Sequence, residues 1–189
     1  FAWFTDKRYH VLKGEVNVNN RKIISWALFT NNEAKLWRRS IEYINDATRY
    51  FSNWVGEYPY NHVTAVDGTI SAGGGMEYPN ITVIGSSGDS KSLETVIVHE
   101  DGHNWYYGIL WSNERDNAWM DEGLITYIEI RYMEEKYPNG YLRKKDSTQN
   151  KSRGISLNIS LEEKELQHIA YQFNASRNYD QPLKMGSKD

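Results

Sequence analysis

His99 and His103 stand four residues apart in the run VIVHEDGHNWYYG, and Glu100 directly follows the first of them. The run reads as helical, and at that spacing two imidazoles leave one helix face with Cβ atoms roughly 5–6 Å apart. Such a pair suits a single metal ion. Glu100 is turned about 100° around the helix from His99, so its carboxylate can reach a metal-activated water without joining the ligands. It is the natural general base. Two histidines leave a catalytic site one protein ligand short, since such sites commonly use three and keep a fourth position for water. Glu122, in NAWMDEGLITYIE, is the best third ligand, because a helix-turn-helix hairpin would bring the start of the next helix back over the histidine pair. A two-His, one-Glu set predicts zinc, one ion per chain, with cobalt or manganese able to substitute. The chain has no cysteine, which excludes thiolate clusters, disulfides and cysteine nucleophiles. The His-Glu-x-x-His pattern is short. What raises its weight is agreement among the apolar lead-in, the helix that follows and the Glu122–Gly123 pair.

His99, Glu100, His103, Trp105 and Gly108 resemble the zinc-binding element of the aminopeptidase N and leukotriene A4 hydrolase family of gluzincin peptidases. Eighteen residues separate His103 from Glu122, as in that family, and Trp119–Gly123 (WMDEG) resembles its second element. The resemblance implies His99, His103 and Glu122 as zinc ligands, Glu100 as general base, and a thermolysin-like metallopeptidase domain. Gly74, Gly75, Met76 and Glu77 resemble the family's exopeptidase motif. There the glutamate binds the free α-amine of the substrate and the neighbouring backbone aligns the peptide. A carboxylate facing an ammonium in a partly desolvated cleft makes a strong charge-assisted contact, so Glu77 is the candidate for amine recognition. Two departures stand out. Tyr78 occupies the position where the motif has Asn, and the family's downstream oxyanion-stabilising tyrosine has no counterpart in its usual context, although Tyr171 and Tyr179 lie in that region.

Elements that could position these residues are visible in the pattern. Val11–Val18, Ile23–Phe29, His62–Ile70 and Ile81–Ile84 read as strands bounded by turns. Trp37, Ile41, Ile44, Phe51 and Val55 recur at helical intervals and predict one long amphipathic helix ending near Gly56. The glycine-rich SAGGGMEYPN predicts a tight or unusual backbone that invites a ligand. Leu93–Leu110, after a polar start at Asp89, Ser90 and Ser92, and Ala118–Tyr137 predict two more helices. Lys144–Gly154 reads as a loop, and Leu161, Leu166, Ile169, Ala170 and Phe173 mark a last helix. Strands first and helices after predict an α+β domain, a small mixed sheet packed beside a helical part that carries the histidines. A glycine at position 102, inside a helix, predicts a packing reason, since it costs about 1 kcal/mol against alanine.

The 189 residues suffice for one sizeable catalytic domain, and the ends of the pattern suggest a piece of a longer multidomain protein. Apolar residues make up 39%, and 7 Trp and 14 Tyr add the large contact areas a core needs. Lysine and arginine total 22 against 25 acidic residues, a net charge of -3 with no basic stripe, which argues against a nucleic-acid partner. No apolar run approaches the eighteen or so residues that would span a bilayer. His10, His62 and His168 stand alone and read as surface or locally bonded residues. The functional expectation is a zinc aminopeptidase acting on peptides with a free N-terminus, with the remaining domains of the parent chain as partners. Two alternatives are a thermolysin-like zinc endopeptidase, which would lack the amine anchor, and a non-catalytic zinc-containing peptide-binding module.

Overall fold

The computed structural model describes residues 2–68, 70, 74–138, 163–177 and 179. Strands β1 (His10–Val18) and β2 (Arg21–Phe29) form an antiparallel hairpin. It turns at Asn19, whose φ of 51° lies in the left-handed region that asparagine tolerates better than most residues. Ile23, Ser25, Ala27 and Phe29 alternate inward along β2, the period-two pattern of a strand with one face on the core.

A crossover through α1 (Ala34–Trp37) and α2 (Ser40–Trp54) leads to β3 (His62–Asp67), parallel to β2. A parallel neighbour requires such a connection, because a tight turn can only reverse the chain. The spacing predicts one continuous helix from Trp37, but the structure interrupts it at Arg38 and Arg39. The Ser40 hydroxyl donates to the Trp37 carbonyl at 2.6 Å, taking an acceptor that the helix ladder would otherwise use. Tyr43, Ile44, Ala47 and Phe51 form the buried face of α2, at the spacing read from the sequence.

Strand β4 (Gly75–Met76) and strand β5 (Ile81–Ile84) complete a mixed five-stranded sheet of order β1-β2-β3-β5-β4. Strand β5 runs parallel to β3, and β4 pairs antiparallel with β5 at the edge. The glycine-rich segment thus holds a two-residue strand, while residues 71–73 lie outside the described residues.

Helix α3 (Ser90–Tyr106) begins at Asp89, whose carboxylate accepts the Ser92 N–H at 3.0 Å and caps the first turn. It ends before the predicted Leu110. The Gly108 N–H reaches back to the His103 carbonyl at 2.7 Å, and a β-carbon at Gly108 would sit 2.7 Å from the Asn104 carbonyl, so closing this turn requires glycine. Inside the helix, a β-carbon at Gly102 would lie 3.1 Å from the Phe51 ring and 3.3 Å from Ile125, which is the packing reason for a glycine there. Trp105 donates its indole N–H to the Gly56 carbonyl at 2.7 Å and meets Phe51 edge-on at 5.5 Å, tying α3 to α2.

The helix predicted from Ala118 opens instead as a π-helical turn (Trp119–Gly123) and continues as α4 (Leu124–Lys136). Such wide turns recur at functional sites because they re-aim a side chain without ending the helix. The chain divides into two compact units, one of Phe1–Glu129 with Leu183–Asp189 and the other of Ile130–Pro182. The second contains α5 (Glu163–Ser176), where Arg177 lies over the Phe173 ring at 3.8 Å. The predicted loop Lys144–Gly154 and the start of the last predicted helix at Leu161 lie outside the described residues. Among the described residues no helix is long and apolar enough to cross a membrane.

Candidate metal centre

His99 and His103 project from one face of α3, one turn apart, with ring centroids 5.1 Å apart and planes at 70°. Opposite them the π-helical turn presents Glu122, whose Oε2 lies 3.0 Å from His99 Nε2 and 3.9 Å from His103 Nε2. The other nitrogen of each ring is engaged by a carboxylate. His99 Nδ1–H donates to Glu129 Oε2 at 2.9 Å, and His103 Nδ1–H donates to Asp121 Oδ1 at 2.7 Å. Carboxylates on both Nδ1 atoms fix the rings and turn both Nε2 atoms toward Glu122.

This donor set fits a metal ion. A tetrahedral zinc with bonds of about 2.0–2.1 Å places its ligands roughly 3.3 Å from one another, close to the two separations between Glu122 and the imidazoles. Hydrogen bonds to Glu122 and Glu129 overcome burial, which acts the other way, and hold the His99 imidazole protonated up to about 10. The His103 imidazole is raised as well, where burial opposes and Asp121 prevails. The bond from His99 keeps the Glu122 carboxyl below its usual range.

Glu100 lies beside this set, 6% exposed, and its Oε2 is buried with no hydrogen-bond partner among the described residues. Burial pushes its carboxyl up to about 7 against the pull of His103 and His99. An unmatched buried oxygen costs free energy unless something from outside completes it, and a water beside a metal would do so. The edge strand β4 closes over this carboxylate, and a β-carbon on Gly75 would overlap it. Gly74, with φ +70, accepts the Gly85 N–H at 2.8 Å and holds the edge to the end of β5. Met76 is exposed. Donor atoms of Glu77, Glu100 and His103 lie within 4.8 Å of one another, so the structure brings the glycine-rich segment and the histidine helix to one place.

Three groups in this site have no counterpart in the reading from the sequence. Asp121 and Glu129 engage the imidazoles, and Glu114 brings a carboxylate within 4.8 Å of those of Glu77 and Asp121. Glu129 carried a usable signal, standing seven residues or two helical turns after Glu122. Glu114 sits in the connection between α3 and the π-helical turn and carried none. His10 bonds the Asn31 side chain across the hairpin and His168 bonds Gln172 one turn along α5, both exposed.

Residues 39–183 match the peptidase family M1 domain. A stretch of 69 residues is 35% identical to leucine aminopeptidase 2-1 of Meyerozyma guilliermondii, covering 35% of this chain and 11% of that protein. Another of 61 residues is 38% identical to leukotriene A-4 hydrolase of Xenopus laevis, covering 31% of this chain and 10% of that one. The fold superposes on the M1 zinc metallopeptidase of Deinococcus radiodurans with a TM-score of 0.60 and 15% identity, over 94% of this chain and 35% of that one. Aminopeptidase A of Legionella pneumophila, solved with aspartic acid, gives a TM-score of 0.56 and 13% identity over 67% of this chain and 16% of its own. The present chain therefore spans about a third or less of the length of these relatives.

Proposed function

This chain belongs to peptidase family M1, and from that premise we propose that it is a zinc-dependent aminopeptidase, releasing N-terminal residues from peptides. The observation that carries the reading is the convergence of two carboxylate-held imidazoles on Glu122, with Glu100 and Glu77 beside them. His99, His103 and Glu122 hold the ion. When bound, zinc supplies Lewis acidity, polarising a carbonyl and lowering the pKa of water. Glu100 takes the proton of the attacking water and returns it to the leaving amine, a role suited to a carboxylate whose pKa lies near neutrality. Glu77 holds the substrate's ammonium by charge-assisted hydrogen bonds, and the backbone of Gly74, Gly75 and Met76 aligns the peptide along the edge of the sheet.

The test is cleavage of one short peptide by the intact protein, with its N-terminus free and then acetylated, with and without a chelator. Release of the first residue from the free peptide alone, abolished by the chelator, is the expected result. Cleavage of both forms would replace this reading with an endopeptidase, and tight binding without cleavage of either would replace it with a peptide-binding module.

Two further outcomes follow from the geometry. Gly75→Ala drives a methyl group into the Glu100 carboxylate, so kcat is expected to fall by about 10²-fold while zinc content stays at one per chain. Asp121→Asn keeps every ligand but weakens the hold on His103 Nδ1–H. Zinc affinity is expected to drop about 10–100-fold, read by competition with a chromophoric chelator. Unchanged affinity would remove Asp121 from the site.

A further inference from the structure

Asn104 follows His103 on α3 and is buried, at 3% exposure. Its Oδ1 accepts the backbone N–H of Asn80 at 3.0 Å, and its Nδ2 donates to the Asp101 carbonyl at 3.1 Å and to Asp101 Oδ1 at 3.3 Å. Asp101 Oδ2 is in turn hydrogen-bonded to Thr48 Oγ1 on α2 at 3.1 Å. All polar atoms of the Asn104 side chain are thus committed, one side to the metal-bearing helix and the other to the main chain three residues beyond Glu77.

That main chain has few other ties: the Tyr58 hydroxyl donates to the Asn80 side-chain oxygen at 3.3 Å, and β5 begins at Ile81. On one side of Glu77 the edge strand β4 pairs with β5 through only Gly75 and Met76. On the other, the chain turns, with the Ile81 N–H donating to the Tyr78 carbonyl at 3.0 Å and Asn80 in the left-handed region at φ 64°. Glu77 is therefore suspended between a two-residue strand and a turn, and the turn is pinned to α3 by Asn104.

From this we infer that Asn104 is a positioning residue for amine recognition: it sets the distance between the Glu77 carboxylate and the histidine ligands, and so decides which peptide bond of the substrate reaches the metal. The inference rests on the aminopeptidase reading above. A buried amide with both ends committed transmits position well, because any shift leaves a polar atom unmatched. The tie arises from a side chain one residue past the second histidine meeting a turn whose backbone N–H points at it.

The experiment compares Asn104→Ala and Asn104→Gln in the intact protein, reading kcat and KM on a free-amine peptide, cleavage of its acetylated form, zinc content and thermal melting. Asn104→Ala is expected to raise KM for the free peptide about tenfold and to narrow the preference over the acetylated form, with zinc content unchanged. Asn104→Gln keeps an amide that can accept from the Asn80 N–H and donate to Asp101, and is expected to recover most of that KM. Equal losses in both variants, or a fall in kcat and zinc content with KM and preference intact, would show a purely structural role and overturn the inference. If Asn104→Ala fails to fold, Asn104→Gln decides it: KM near that of the native protein supports the tie, and KM raised about tenfold or more with the preference lost overturns it. If the native protein itself cleaves both peptide forms equally, the aminopeptidase reading falls first and this inference with it.

Discussion

Glu100→Gln is expected to retain one zinc per chain and lose about 10³-fold in kcat. The substitution is nearly isosteric, so the buried pocket under β4 keeps its packing, and the three side chains proposed to hold zinc are untouched. What disappears is the ability to accept a proton. The same residue governs the pH profile. Burial raises the Glu100 carboxyl to about 7 against the pull of His103 and His99, and a bound dication would bring it down from there. A general base acts ionised, so kcat/KM falls as pH drops through the pKa Glu100 has beside the metal, below about 7, and levels off above it. The acid limb should vanish from the residual activity of Glu100→Gln. Metal analysis and a pH-rate profile of both proteins check the prediction, and an unaltered kcat in the variant would end the mechanism.

His103→Ala is expected to lose zinc, turnover and stability together. The ring is 2% exposed and its partner Asp121 is 1% exposed, so removing it deletes a proposed ligand and strands a carboxylate in the interior. Breaking a buried pair from one side costs about 3–5 kcal/mol, apart from any contribution of the metal to stability. Denaturant unfolding of native and variant proteins, both stripped with chelator, isolates that cost, and zinc analysis before stripping reads the ligand loss. His99→Ala is the comparison, because His99 is more exposed, at 20% of its side chain, and its loss should remove zinc with a smaller penalty on the stripped protein. Equal destabilisation of the two stripped variants would contradict the argument from burial.

Much of this site was legible because its chemistry is local. Two histidines at helical spacing with a glutamate after the first constrain one another through a single turn of α3, and no distant contact alters which face they share. The strand Ile81–Ile84 and the cap at Asp89 were legible for the same reason, being set by neighbours in sequence. The break at Arg38 and Arg39 was not, because it turns on one serine hydroxyl choosing a carbonyl over solvent. The two-residue strand Gly75–Met76 was hidden too, since a strand that short exists only through its partner Val83–Ile84.

The amino-acid sequence by itself determined the donor types, their order and the spacing on each helix: His99, Glu100 and His103 on one, Glu122 and Glu129 on the next. Side-chain chemistry and the 3.6-residue repeat are properties of the chain alone. Tertiary structure decided the rest. It set Asp121 and Glu129 on the imidazole Nδ1 atoms, folded Gly75 onto Glu100, and bonded Asn104 to the turn after Glu77. Each of these joins segments with no fixed spacing between them, and only the packing of α3 against the sheet and the π-helical turn gives such segments a distance.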